Sequence, residues 1–146
     1  MLGIQDDLWA SYCFYGGLIL LKLVVMSPLT GLSRMKKKVF SNEEDAKMAQ
    51  GKVTLNDPDV ERIRRAHLND IENIVPFLLI APIYLTTDPC KLLAVSIFRV
   101  FTLGRYMHTI TYLNEVQPWR AVGFFLNIFC NFFMIGCTIV HYAYAF

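Results

Sequence analysis

Four apolar blocks separated by polar connections organise this chain. A membrane-crossing helix needs about 20 mostly apolar residues. The first block, about 8–33, contains SYCFYGGLILLKLVVMSPL and is interrupted by Lys22. The second has its apolar half at Ile74–Leu85, too short to cross unaided. The charged stretch before it, ERIRRAHLNDIENIVP, must supply the missing turns. Asp57 and Pro58 suit the N-cap and first helical position, so one helix is predicted over about 58–86. Arg64, Arg65, His67, Asn69 and Glu72 then lie on a helix, not in a loop. The third block, 91–113, carries Arg99, Arg105 and His108, and the fourth, 119–144, is the cleanest. Backbone groups in lipid must be satisfied within their own segment, so these blocks are expected to be helical.

The connections set the architecture. TTDPC and NEVQP are short, and short links make antiparallel neighbours. The connection over 34–57, by contrast, is long, polar and basic. The expected fold is therefore all-α: an integral membrane, up-down four-helix bundle forming a single domain over 1–146. The basic loop holds Arg34, Lys36, Lys37, Lys38, Lys47 and Lys52, which places that loop and the third one, with Arg120, in the cytosol. Both termini then face the other side.

Composition agrees with the pattern. The hydrophobic fraction is 55%, above the roughly 45–50% of soluble domains. A net charge of +2 is too small to argue for nucleic acid. Cys13, Cys90, Cys130 and Cys137 show no metal-type spacing, so reduced, buried thiols and no metal are expected. The stretch MLGIQDDLW has no basic region, which predicts a retained helix rather than a removed signal peptide.

Charges inside apolar helices usually have a job or a partner. At 100° per residue, Arg65, Asn69 and Glu72 share one face of the second helix, with His67 and Asp70 roughly opposite and Arg64 between. Those opposite residues are expected to pair with another helix. Arg105, His108 and Tyr112 share a face of the third helix, while Arg99 points elsewhere. Arg34 closes the first helix and Arg120 opens the fourth at the same depth. Each residue alone fits a helix-stabilising ion pair, such as Arg65 with Glu72, or an arginine reaching for the interface. Together the arginines outnumber the carboxylates, which favours an external anion. Planar guanidinium groups suit carboxylates, and a single Glu72 suits an ammonium. Tyr106 and Trp119 read as interfacial anchors, and Glu43, Glu44 and Asp45 as a solvated loop or local cap.

VERIRRAHLNDIENIVPF, with KKKVFSNEED, RYMHTITYL and QPWRAVGFF, resembles the signature of the MAPEG family, membrane-associated proteins in eicosanoid and glutathione metabolism. The resemblance covers nearly the whole chain. Two branches are close, a glutathione transferase branch and a prostaglandin E synthase branch. Leu68 and Ala121 resemble the transferase branch, since the synthase carries a basic residue and a serine there. The resemblance implies a homotrimer in the endoplasmic reticulum or outer mitochondrial membrane, with glutathione between subunits. Its glutathione-binding residues would be Arg34, Arg64, Arg65, His67, Asn69, Glu72, His108, Tyr112 and Arg120.

On that reading Arg120 stabilises the glutathione thiolate and Tyr112 donates a hydrogen bond or contacts the ligand. The thiolate attacks a lipophilic electrophile or a lipid hydroperoxide supplied by the bilayer. A glutathione-dependent prostaglandin H to E isomerase is the alternative enzyme. A non-catalytic membrane adaptor is the alternative of another class, against which the presence of Arg120 and Tyr112 argues.

Overall fold

The computed structural model describes residues 5–144. Its elements are α1 (Asp6–Lys37), β1 (Val39–Phe40), α2 (Glu43–Met48), β2 (Lys52–Val53), α3 (Pro58–Leu85), α4 (Lys91–Leu113) and α5 (Trp119–Ala143). The four long helices form a ring in which α1 packs on α3, α3 on α5, α5 on α4 and α4 on α1. A lighter α3–α4 contact crosses the middle, and α1 and α5 do not meet among the described residues. At 1.5 Å per residue α1 is about 48 Å long and α3 about 42 Å, so both outrun a hydrocarbon layer of about 30 Å. Three helices, α1, α3 and α5, are long and apolar enough to cross a membrane. The fourth, α4, has the length but not the composition, and packs against all three of the others.

Asp57 caps α3 as its position predicts. Its carboxylate accepts from the backbone N–H groups of Asp59 and Val60, each at 3.1 Å, and Pro58 follows. The connection expected as loop is partly structured. α1 runs on to Lys37, and β1 and β2 pair in parallel on either side of α2, burying Val39, Phe40 and Ala46. Gly51 is required there, because a side chain would meet the Lys38 carbonyl at 2.6 Å and the Phe40 ring at 2.7 Å. Glu43, Glu44 and Asp45 form the first turn of α2, where negative charge suits the helix dipole.

The bundle interior has two halves. Towards the TTDPC turn it is apolar: Phe77 stacks on Phe101 at 3.9 Å and meets Phe98 edge-on, with Ile74, Ala81, Ile97, Cys130 and Met134 around them. Pro82 leaves the Leu78 carbonyl without its helical donor, and the Tyr12 hydroxyl of α1 donates to it at 3.0 Å. Towards the basic loop the interior is polar, with Lys22, Asp70, Asn73, Thr102, Arg105, His108, Thr109, Asn127 and Asn131 all buried. Asn131 donates to the Asn73 carbonyl at 3.1 Å and so joins α5 to α3.

Two sequence expectations change here. Tyr106 is not an interfacial anchor: its hydroxyl donates to the Leu18 carbonyl at 3.0 Å, in the middle of α1. All four cysteines are free thiols, yet only Cys130 is buried; Cys13 and Cys90 are exposed and Cys137 lies between. Apolar context means burial in a soluble protein, but here it also means the lipid-facing surface.

α4 and α5 approach closely at Gly104 and Gly123. A Cβ on Gly123 would lie 2.9 Å from the Gly104 carbonyl and 3.1 Å from His108 Cβ. Gly123→Ala is expected to lower stability by about 1–3 kcal/mol through overpacking. Gly17→Ala, where nothing lies within 4 Å, is expected to raise it by up to about 1 kcal/mol through helix propensity; thermal unfolding in detergent compares the two. The Asp57 cap gives a pH dependence. The Val60 N–H and then Lys37 hold its carboxyl below the ordinary carboxylate value. The resulting stability is present above about pH 4, the unfolded value, and is lost as pH falls through the lower folded value. Asp57→Ala should flatten that acid limb in a melting-temperature-against-pH series.

Candidate functional site

The polar layer is built around α3. Asp70 is fully buried and pairs with Lys22 of α1 and Arg105 of α4. The Thr109 hydroxyl lies 3.3 and 3.4 Å from its two oxygens. The expectation that Asp70 pairs with another helix therefore holds, with two helices rather than one. The expectation that Arg105 faces a ligand does not. Arg105 is completely buried, and its Nη2 serves Asp70 and, at 3.1 Å, the Asn69 side-chain oxygen. Its i, i+3 spacing with His108 correctly put both on one face, but periodicity does not say whether a face meets solvent or another helix.

Three of the residues expected in the site, His108, Tyr112 and Arg120, gather at the α4–α5 end. The His108 and Tyr112 rings lie 5.6 Å apart, and the Arg120 guanidinium carbon sits 5.0 Å from the Tyr112 ring centroid. That distance is within cation–π range. With its amide oxygen turned to the guanidinium, Gln117 accepts from Arg120 Nε at 3.0 Å. Arg120 is therefore held by an aromatic face and a neutral oxygen, with no carboxylate within ion-pair distance among the described residues. Asn69, on α3, is hydrogen-bonded to Arg105. Gln117 was missed by sequence reasoning, although its place three residues before Arg120 was a usable signal.

The other expected residues stand apart from that group. Arg64 is exposed and pairs with Glu61 at 2.6 Å. Arg65 and Glu72 are exposed and form no ion pair, so the helix-internal pairing considered for them is absent among the described residues. Leu68, Val75 and Leu79 are exposed beside them at helical spacing, giving α3 an outer stripe of Arg65, Leu68, Glu72, Val75 and Leu79. His67 is half-buried and makes no hydrogen bond among the described residues, so its expected pairing with another helix is not seen. Arg34 is half-buried, with its Nη1 buried and unbonded. Arg99, which points elsewhere as expected, donates to the Tyr15 hydroxyl at 2.9 Å.

An open groove of about 370 Å³ begins beside Arg120, lined by Pro118, Ala121, Val122, Phe125, Leu126 and Phe129. It is almost wholly apolar, which suits a lipophilic molecule. A second open cavity, about 580 Å³ around Phe132, Phe133 and Cys137, contains none of the expected site residues. Among the described residues no three His, Cys, Asp or Glu side chains converge as metal ligands.

The sequence pattern of the MAPEG family matches residues 12–140. The chain belongs to the MAPEG family. Among its MAPEG relatives, human microsomal glutathione S-transferase 1 is 42% identical over 131 residues, 85% of this chain and 84% of the relative. Prostaglandin E synthase of Macaca fascicularis is 42% identical over 127 residues, 86% of this chain and 84% of the relative. The bovine prostaglandin E synthase is 40% identical, covering 80% and 77%. Overall identity therefore does not choose between the two branches. The MAPEG assignment and the apolar helices make this a membrane protein.

The Asp70 cluster predicts an asymmetry. Asp70→Ala leaves Lys22 and Arg105 buried without a counter-charge, expected to cost about 3–5 kcal/mol. Lys22→Met leaves the Asp70–Arg105 pair balanced and is expected to cost less than about 1.5 kcal/mol. Chemical or thermal unfolding of the two purified variants tests the order.

Proposed function

We propose that this protein is a membrane-bound glutathione transferase whose site lies in the polar layer at the basic-loop end of the bundle. The observation that carries the reading is the set of arginines without carboxylate partners among the described residues, Arg34, Arg65 and Arg120, in a layer that also holds Asn69, His108 and Tyr112. Charges so placed favour an anionic ligand from outside. Glutathione has two carboxylates, an ammonium and a thiol. Arg34 and Arg65 suit the carboxylates, and the unpaired Glu72 suits the ammonium.

Within one subunit, Arg65 and Glu72 lie on the outer stripe of α3, away from Arg120. A homotrimer packed through that stripe, as the family resemblance implies, brings one subunit's α3 charges towards a neighbour's Arg120. It also covers Leu68, Val75 and Leu79, and gives Arg64 and His67 a neighbour to face. By the positive-inside rule the layer is on the cytosolic side, where glutathione is supplied. Endoplasmic reticulum, or the outer mitochondrial membrane, is the location this reading favours.

The chemistry needs no protein nucleophile. A thiol with a pKa of about 8.5 is only a few per cent thiolate at neutral pH. A cation beside the sulfur stabilises the charged form, and one pKa unit corresponds to about 1.4 kcal/mol. Arg120 suits that task because Gln117 and the Tyr112 ring orient it without neutralising it. The thiolate attacks an electrophilic carbon of a molecule held in the groove beside Ala121 and Phe125, forming a C–S bond as a halide or other anion leaves. With a hydroperoxide it attacks oxygen, the O–O bond breaks to give an alcohol and a sulfenic acid, and a second glutathione converts the sulfenic acid to disulfide and water.

The second reading is prostaglandin H to E isomerisation, favoured by the synthase relatives at equal identity. Leu68 and Ala121 weigh against it, since they replace the basic residue and serine expected of that branch. The deciding experiment measures glutathione consumption by the purified protein with a chlorinated nitrobenzene. Turnover well above the uncatalysed rate is expected. Glutathione binding without turnover would move isomerisation to the front, and neither would favour an adaptor. Arg120→Ala is expected to lower kcat/KM by at least about 100-fold, in the range of a lost electrostatic stabiliser. Assembly should persist by size-exclusion chromatography with light scattering. Near-normal activity in that variant would remove Arg120 from its role.

A further inference from the structure

Asp70 has so far appeared only as a structural charge. Its neighbour in sequence, Asn69, is half-buried at the edge of the proposed site, and the two share one donor. Arg105 Nη2 donates both to Asp70 and to Asn69 Oδ1. The Nε and Nη1 atoms of Arg105 are buried without partners, so its Nη2 contacts alone set the direction of the guanidinium. Of those contacts, the carboxylate is the stronger. Among the described residues the Asn69 side chain has no other hydrogen bond. With its oxygen turned to Arg105, Asn69 is left with its NH2 group as the free end of the amide.

We propose that Asp70, steadied by Lys22 and Thr109, is a positioning residue that fixes Arg105 and through it orients Asn69 as a donor to a carboxylate or peptide carbonyl of glutathione. The inference rests on the glutathione reading above. It separates two functions of one buried charge. Asp70 offsets the cations between α1, α3 and α4, and it also selects which end of the Asn69 amide faces the ligand. If the Asn69 amide were free to turn, its oxygen would face the ligand for part of the time and repel the same acceptor.

The test is a double-mutant cycle on the intact protein in nanodiscs, with glutathione and the chlorinated nitrobenzene as substrates. Asp70→Asn is expected to raise the KM for glutathione about tenfold and to change kcat at saturating glutathione less than threefold, because Arg120 and Tyr112 are untouched. Asn69→Ala should give a similar KM, and the double variant should be no worse than either single one. Asp70→Glu should restore most of the wild-type KM. Additive effects, or a fall in kcat with KM unchanged, would overturn the proposal. If Asp70→Asn does not assemble, Thr109→Val carries the same cycle, with about a threefold rise expected.

A second arm needs no glutathione. The NMR signal of the Asn69 side-chain amide, assigned by its loss in Asn69→Ala, should shift in Asp70→Asn or Thr109→Val. An unmoved signal sinks the relay. Wild-type protein that fails to bind glutathione would instead overturn the proposed function, and the amide signal would still decide the relay.

Discussion

A carboxylate buried inside a membrane helix cannot stand alone, and the architecture follows from how Asp70 is met. Lys22 reaches it from α1 and Arg105 from α4, so three helices must hold one depth and one rotation. The net stability from such a cluster is modest, because desolvation consumes most of the Coulombic attraction. Its consequence is register. A one-turn slip of α4 would carry Arg105 about 5.4 Å along the axis and leave the charges in hydrocarbon unpaired. The aromatic half of the core sets no such penalty, since Phe77, Phe98 and Phe101 would find apolar neighbours at several offsets. α5 carries no charge into the interior and is fixed by contact instead, through the Gly104–Gly123 approach and the Asn131–Asn73 hydrogen bond.

The same cluster determines which cations remain for other work. Asp70 is the acceptor for Lys22 and Arg105, while Glu61 and Glu115 meet Arg64 and Arg62. Arg34, Arg65, Arg99 and Arg120 are left without carboxylates among the described residues; Arg99 is taken up by the Tyr15 hydroxyl, and the other three are the ones that point to an external anion. Counting charges along the sequence would put Arg105 in the same class. Only packing separates an arginine that holds helices together from one held ready for a ligand.

That distinction marks how far the sequence could be read. The four long helices, their limits near Asp57 and the two tight turns, and the polar layer were all legible, because apolar block length and capping chemistry are local properties. The fate of each charge was not, because it depends on which face another helix covers. Asp70 could be assigned a partner helix from its angular position, but Lys22 looked like a mere interruption and Tyr106 like an interfacial anchor. Both are tertiary contacts between α1 and a neighbouring helix. The thiols misled for a related reason: in a bilayer the apolar outer surface and the apolar core have the same composition. Gln117 escaped notice because a neutral amide in a turn carries no charge or apolar pattern; only its place three residues before Arg120 marked it, and it orients the arginine proposed to act on the thiolate.

The near-equal identity to transferase and synthase relatives has a physical counterpart in this arrangement. On the proposed reading both chemistries begin with a bound glutathione thiolate, and every residue proposed to clamp or activate it lies in the polar layer. That apparatus is indifferent to the second substrate. On the same reading, what would distinguish the reactions lies one step away, where Ala121 lines the apolar groove and Leu68 faces outward on α3. An apolar pair at those positions offers no hydrogen bond to orient a strained peroxide and no charge to draw it in. It suits electrophiles selected by partition into the bilayer rather than by shape. On this reading the fold supplies the nucleophile, and two small apolar side chains leave the choice of electrophile open.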